Sequence, residues 1–209
     1  MDIELLKDGL NRLGIEYDEL AIERMKTYMS EIMLFNPTYR LVGQEDEDEI
    51  LIRHFLDAAA GVPYMRSLGK KTIVDLGTGA GFPGVILAIL MPEVHVTLAE
   101  RMSRRVSFLR NVILRLNLGN VDILQKDANG IDRKFDIVTS RAFHPVYDCI
   151  DYVHPLLEDD GRIVFYKGPE RNVEAEMAVL EDGGREVEYE IVKLNVPYLD
   201  ESRSLLVIA

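Results

Sequence analysis

The sequence lacks most of what disulfide-rich, metal-binding or membrane-spanning proteins need. Cys149 is the only cysteine in 209 residues, so neither a disulfide within the chain nor a cysteine-based zinc site can form, and we expect it to be buried. The histidines include no pair with metal-ligand spacing. No apolar run approaches the roughly 20 residues that span a bilayer, and the first residues, MDIELLKDGL, do not resemble a signal peptide. We therefore expect a cytoplasmic protein with no metal and no membrane partner.

Basic residues are fewer than acidic residues, 24 against 36, and they are unevenly distributed along the chain. The formal net charge is −12, of which residues 1–60 contribute −8, residues 61–172 contribute +2 and residues 173–209 contribute −6. An acidic total argues against a nucleic-acid partner. Charges are nevertheless screened beyond about 8 Å at physiological salt, so a basic face in the middle of the chain can still contact phosphate. Composition thus weakens a nucleic-acid role without excluding it.

Hydrophobic periodicity divides the chain near residue 60. Before that point, apolar residues recur at helical spacing and predict a helical N-terminal extension over residues 1–60. A proline and a glycine indicate a loop within it, Asn36–Gly43. From Lys71 onward short apolar strands alternate with helices, which predicts that residues 61–209 form one α/β domain with a mostly parallel, doubly wound sheet.

The order of these elements can be read from the sequence. The predicted strands before the last helix are TIVDL, VHVTLAE, NVDILQ, FDIVTS and RIVFYKG. The predicted helices cover residues 83–91, 101–117, 146–157 and 172–180. EVEYEIVKL and SRSLLVIA follow without a helix between them, so we expect them to pair as an antiparallel hairpin at one edge of the sheet.

The stretch IVDLGTGAGFPG follows the first predicted strand, where ligands bind in such sheets. Read from Gly79, it fits the dinucleotide fingerprint G-x-G-x-x-G. Read from Asp75, it fits the loop of a methyltransferase that uses S-adenosylmethionine (SAM). Glu100, at the end of the second strand, suits a ribose under either interpretation. The Asp75 carboxylate would repel a pyrophosphate but suits the ammonium and sulfonium charges of SAM, so SAM is the predicted cofactor.

Several motifs in order resemble one family. NPTYRLVG, HFLDA, VDLGTGAGFPG, TLAERMSRRVSFLR, FDIVTSRAF and YKG together resemble the RsmG (GidB) family over roughly residues 30–170. The resemblance implies a seven-stranded class I SAM-dependent methyltransferase fold that methylates guanine N7 in bacterial 16S ribosomal RNA. Two motifs depart from the family pattern: Ala58 replaces the usual serine, and NPTYRLVG is altered from the usual N-L-T.

The resemblance also implies a set of cofactor contacts. Asp75 would lie near the amino group of SAM, Glu100 on its ribose hydroxyls, and the backbone of KDANG against its adenine. The residues expected to bind SAM are Asp75, Gly77, Gly79, Gly81, Phe82, Glu100, Ala128, Asn129 and Arg141.

Arg141 and Lys167 are the residues predicted to act at the reacting base. Arg141, in TSRAF, matches a residue at the cofactor pocket of the family, and its five fixed donors suit a guanine or a phosphate. Lys167, in YKG, would meet an RNA phosphate or the O6 edge of guanine, although a solvated lysine is an equally good interpretation. Guanine N7 has a free lone pair, so its methylation needs positioning and not a general base.

The remaining candidates keep two interpretations each. The spacing of His54 and Asp57, one helical turn apart, favours a mutual hydrogen bond over substrate contact. Phe143 fits either a stacking partner for a splayed-out guanine or a core residue. The Asn36–Gly43 loop, with Arg40, would reach the site only by folding over it.

The predicted helix over residues 101–117 contains five arginines and no acidic residue. Arg104 and Arg115 lie opposite its apolar stripe, which suits a solvated face or phosphate binding. Three other functions stay open: a SAM-dependent methyltransferase acting on a small molecule or protein, a non-enzymatic SAM-binding protein, and an NAD oxidoreductase.

Overall fold

A computed structural model describes residues 1–142 and 144–209, so the interpretations of Phe143 lie outside the described residues. The chain begins with helices that are joined by short loops. These are α1 (Ile3–Arg12), α2 (Glu19–Tyr39), α3 (Glu47–Ile50), α4 (Asp57–Ala59) and α5 (Val62–Ser67), and a π-helical segment, Leu51–Leu56, makes α3 and α4 continuous.

Strands and helices then alternate as the sequence predicts. They are β1 (Thr72–Leu76), α6 (Gly84–Leu90), β2 (His95–Ala99), α7 (Ser103–Leu116), β3 (Val121–Leu124), β4 (Phe135–Arg141), α8 (Val146–Val153), β5 (Leu157–Lys167), α9 (Glu170–Asp182), β6 (Tyr189–Leu194) and β7 (Arg203–Ile208).

The strands form one seven-stranded sheet in the order β3-β2-β1-β4-β5-β7-β6. The first five strands of this order are parallel, and β7 is antiparallel to both β5 and β6. The predicted α/β class, the mostly parallel sheet and the C-terminal hairpin at its edge are therefore confirmed. Because β7 lies between β5 and β6, Ser204 is in register with Lys167 and the start of β7 adjoins the end of β5.

The helical extension packs on the same face of the sheet as α6 and α7. Its apolar residues, among them Leu6 and Ile22, share one buried cluster with Leu87 and Leu109. A second buried cluster lies on the opposite face, where α8 and α9 contribute residues such as Met177. Hydrophobic burial on both faces explains why the parallel strands are almost continuously apolar.

The predicted loop Asn36–Gly43 is wrong at its start, because α2 continues through Pro37 to Tyr39. Arg40 follows as the C-cap residue and has a left-handed conformation with φ 51°. The Asn36 side chain stabilises the turn that follows: its Oδ1 accepts hydrogen bonds from the Leu41 and Val42 amides at 2.8 and 3.0 Å. Asn36 therefore belongs to the last turns of α2, and its side chain fixes the backbone that follows the helix.

The helix predicted over residues 146–157 is also too long. α8 ends at Val153, a 3₁₀ turn covers His154–Leu156, and Leu157 already belongs to β5. Pro155 accounts for the difference, because it has no amide hydrogen to donate to the carbonyl four residues earlier and so cannot continue an α-helix.

Within the described ranges, no helix is both long and apolar enough to cross a bilayer. The same ranges contain no cluster of three or more His, Cys, Asp or Glu side chains arranged to hold a metal ion. Cys149 is buried as expected, and burial raises the pKa of its thiol to about 11, so the side chain stays protonated and apolar in character.

Gly61→Ala tests how tightly the extension is packed on the sheet. A Cβ at Gly61 would lie 2.6 Å from Cζ of the buried Tyr166, whose hydroxyl donates to the Ala58 carbonyl at 2.7 Å. We expect this overpacking to lower the free energy of unfolding by about 1–3 kcal/mol in urea titrations. Gly119→Ala, where the added Cβ meets open space, should change it by about 0.5 kcal/mol or less. Equal effects of the two substitutions would contradict this packing.

Candidate active site

The glycine loop between β1 and α6 is held closely against the helical extension. The Tyr28 hydroxyl of α2 donates to the Ala80 carbonyl at 2.7 Å. A Cβ at Gly81, where φ is 107°, would lie 2.7 Å from that hydroxyl. Gly77 and Gly79 also have positive φ, 63° and 64°. The loop therefore has the backbone conformation that only glycine adopts readily, and it can approach a ligand closely.

Asp75 lies beneath this loop and is fully buried. Its Oδ2 accepts hydrogen bonds from Thr78 Oγ1 at 2.5 Å and from the Gly84 amide at 2.8 Å. Its Oδ1 has no hydrogen-bond partner among the residues of the described ranges. Burial raises the pKa of Asp75 to about 7, against the lowering effect of the two hydrogen bonds and of the Arg141 charge. Asp75 thus holds the loop, and its contact with a cofactor stays a prediction.

Glu100 is held in place on the other side of the loop. It is buried, and its carboxylate accepts hydrogen bonds from the Gly79 amide at 3.1 Å and the Met102 amide at 2.8 Å. A cavity of about 340 Å³ opens here, lined among others by Gly77, Glu100 and Ala128. Three of the nine predicted cofactor residues, Gly77, Glu100 and Ala128, thus line one cavity.

The predicted adenine contacts, Ala128 and Asn129, are placed differently. Ala128 is buried and lines the 340 Å³ cavity, where its amide donates to Asp127 Oδ1 at 2.8 Å. Asn129 is exposed and lines a separate cavity with Ile131 and Tyr152. The structure brings Ala128, but not the Asn129 side chain, to the glycine loop.

A larger cavity of about 540 Å³ adjoins the first, and Ala142 and His144 line both. Arg141, at the end of β4, is only 18% exposed in its side chain. Its guanidinium carbon lies 5.3 Å from the centre of the Phe82 ring. The predicted loop residue Phe82 and the predicted catalytic residue Arg141 therefore contact each other, and of the two only Arg141 lines a cavity, the larger one.

Arg141 is the centre of a hydrogen-bonded network. Its Nη1 donates to Asp57 Oδ2 at 2.9 Å, and its Nη2 donates to His54 Nδ1 at 2.6 Å. The other Asp57 oxygen accepts from Arg203 Nε at 3.1 Å. The expected mutual hydrogen bond between His54 and Asp57 is therefore wrong: both side chains bind the same guanidinium.

This network also determines the protonation of His54. A guanidinium can only donate, so Nδ1 accepts, and Nε2 carries the proton that it donates to Glu45 Oε2 at 2.7 Å. Burial, together with the nearby Arg141 charge, lowers the pKa of His54. A neutral imidazole thus links Arg141 to Glu45 along the wall of the larger cavity.

Lys167 lines the larger cavity too, but it is not a solvated lysine. Its ammonium lies 2.6 Å from Glu176 Oε2, and its side chain is 14% exposed. The same oxygen accepts from the Val146 amide at 3.1 Å, which fixes the segment after β4. Lys167 is therefore oriented by α9 toward the cavity that Arg141 also lines.

Sequence reasoning missed several residues of the larger cavity, namely Glu45, Arg53, Tyr166 and Arg203. Arg203 illustrates the reason. It begins the last strand, and only the insertion of β7 beside β5 brings it to Asp57. The hairpin was predictable from the pattern of the last two strands, but the position of each strand in the sheet was not.

Asp75→Asn provides a pH test of the loop. Because the folded-state pKa of Asp75 is about 7, above its ordinary 3.8, ionisation of this group destabilises the fold as pH rises from about 4 to 7. The asparagine variant cannot ionise. We expect its free energy of unfolding to rise relative to that of the parent protein by a few kcal/mol over this pH range. Urea titrations at several pH values measure it, and a difference independent of pH would contradict the assignment.

Comparison with known proteins agrees with this arrangement. The family model described as rRNA small subunit methyltransferase G, GidB, matches residues 21–205. Ribosomal RNA small subunit methyltransferase G of Borrelia turicatae is 30% identical over 195 residues, 93% of each chain. That of Escherichia coli O1:K1 is 35% identical over 209 residues, 98% of this chain and 94% of the relative.

Solved structures share the fold. Magnesium protoporphyrin IX methyltransferase from Synechocystis PCC 6803, with bound SAM, superposes with a TM-score of 0.60 at 18% identity, over 92% of this chain and 98% of that one. Ribosomal protein L11 methylase from Lactobacillus delbrueckii subsp. bulgaricus superposes with a TM-score of 0.55 at 17% identity, over 72% and 75%. Fold and sequence agree, and the chain belongs to the rRNA small subunit methyltransferase G family, also called RsmG or GidB.

Proposed function

We propose that this chain transfers a methyl group from SAM to N7 of a guanine in 16S ribosomal RNA, acting in the cytoplasm on the RNA or on a small-subunit precursor. The observation that carries the proposal is the pair of adjoining cavities. Gly77 of the glycine loop lines one, the predicted catalytic side chains Arg141 and Lys167 line the other, and Ala142 and His144 line both. A cofactor in the first and a base in the second would meet at the end of β4.

The residues of the smaller cavity fit SAM. Gly77 and Gly79 present backbone without side chains, and Glu100 is held by two amides with its carboxylate at the cavity wall. The buried Asp75, with one oxygen unpartnered among the described residues, favours a positively charged ligand above the loop. SAM, when bound, supplies an electrophilic methyl group on a sulfonium.

The larger cavity supplies what an N7 reaction needs from the protein. Nitrogen 7 attacks with its own lone pair, so orientation of the base is the main requirement. Arg141 is held in one orientation by Asp57 and His54, and a guanidinium fixed in this way can orient a guanine edge without a further loss of side-chain entropy.

The function is tested by supplying methyl-labelled SAM with naked 16S RNA, with small ribosomal subunits that lack the modification, or with a mixture of proteins and small molecules. We expect label in 16S RNA at a single guanine, and chain cleavage specific for N7-methylguanine should map it. Label only in protein or small molecules, or methylation of RNA at another atom, would contradict the proposal.

Lys167→Met tests the assignment of the larger cavity to the acceptor. Removing a charged donor that touches the base or a phosphate should lower kcat/KM for RNA by about 10- to 100-fold. The Kd for SAM should stay within about 2-fold of the parent value, because Lys167 does not line the smaller cavity. Lys193→Met is the matched control, since Lys193 is exposed on β6. A loss of SAM affinity with unchanged RNA kinetics would assign Lys167 to the cofactor instead.

A further inference from the structure

The end of α2 and the start of α7 form one corner of the carboxyl edge of the sheet. The two helices run antiparallel: Glu31 of α2 contacts Arg115 near the end of α7, whereas Tyr39 of α2 contacts Arg104 near its start. Because α7 follows β2 directly, its start lies where the strands end. Arg101 at this corner also lines the smaller cavity. The corner is therefore next to the site.

The arginines of this region differ in whether their charge is paired with an acidic side chain. Arg105 lies 3.6 Å from the buried Glu100. Arg115 lies 3.2 Å from Glu31, which also accepts a hydrogen bond from Asn111. The charges of these two guanidinium groups are compensated within the protein. The position of Arg115 is therefore explained by the packing of α7 on α2.

Three other arginines keep their positive charge exposed, and we call them the rim arginines: Arg40, Arg101 and Arg104. Arg104 is exposed and contacts the Tyr39 ring, with 5.7 Å from its guanidinium carbon to the ring centre. Arg101 is 74% exposed in its side chain and lies 3.4 Å from a single partner, Asp127. Within the described ranges, Arg40 and Arg104 contact no acidic side chain.

The stability of α7 does not account for this arrangement. Its first turn, beginning at Ser103, contains no acidic residue, and its N-cap Met102 offers no side-chain cap. Cations near the start of a helix face the positive end of its dipole, which is unfavourable. The concentration of arginines at this helix start is explained if their guanidinium groups bind anionic groups of another molecule.

We propose that the rim arginines bind backbone phosphates of ribosomal RNA next to the nucleotide that enters the larger cavity; this rests on the function proposed above. Only residues 41–44 separate Arg40 from Glu45, which lines the larger cavity. The rim and the base cavity therefore adjoin. A guanidinium binds phosphate with two parallel hydrogen bonds, and the Tyr39 ring keeps that of Arg104 in place.

The test compares charge reversals at matched positions. Arg104→Glu and Arg40→Glu reverse rim charges. Arg110→Glu, the control, makes the same change in net charge on the same helix, at an exposed residue about 9 Å further from the rim. Binding to 16S RNA and to unmethylated small subunits is measured at several salt concentrations, together with the Kd for SAM and the thermal unfolding of each variant.

We expect each rim variant to weaken RNA binding by about 10-fold at 0.1 M salt and to reduce the slope of log K against log salt by about 1. The control should change binding by less than about 2-fold, and SAM affinity and Tm should not change in any variant. Equal weakening by Arg104→Glu and Arg110→Glu, an unchanged salt slope, or no binding of the parent protein to either substrate would overturn the inference. If the parent protein methylates RNA but the rim variants bind RNA with the same affinity as the parent protein, this inference fails while the proposed function stands.

Discussion

The ion pair between Asp57 and Arg141 joins parts of the chain that are far apart in sequence. Asp57 lies in α4, Arg141 lies 84 positions later at the end of β4, and the second Asp57 oxygen binds Arg203, 146 positions away. Loss of the buried Asp57 would leave Arg141 without its acidic partner, and breaking a buried pair in this way typically costs about 3–5 kcal/mol. The site is therefore complete only when the helical extension, the sheet and the hairpin have all docked.

The helical extension is for this reason part of the candidate active site. It contributes Asp57 and His54 to the network around Arg141, and Tyr28 to the glycine loop. The contacts of Asp57 and His54 fix Arg141, which lines the larger cavity. A reaction that requires orientation of the acceptor more than proton transfer benefits from such fixed donors, because the orientation is established before the substrate binds.

Much of the fold and the glycine loop could be predicted, because both depend on local patterns. Alternating apolar strands and helices identified the sheet, and the glycines identified the loop. Which side chains form hydrogen bonds or ion pairs with each other could not be predicted, since this depends on residues brought together by folding. His54 and Asp57 are three positions apart in the sequence, yet both bind Arg141, and Lys167 binds Glu176 of a helix that follows it. Strand order, which places Arg203, is likewise not encoded in any single segment.

The charge of the chain is compatible with an RNA substrate once its distribution in space is considered. Of the nine acidic residues in 173–209, Glu176 and Glu201 are paired with Lys167 and Arg203, and Glu190 lies on β6, five strand spacings from β2, about 24 Å. That distance is about three Debye lengths at physiological salt. Within the acidic run Glu45–Glu49, the Glu47 charge is compensated by the amino group of Met1, and the Asp46 carboxylate caps the start of α3. An RNA phosphate at the corner between α2 and α7 would therefore experience mainly the nearby arginines, so the total of −12 is a poor guide to what this face binds.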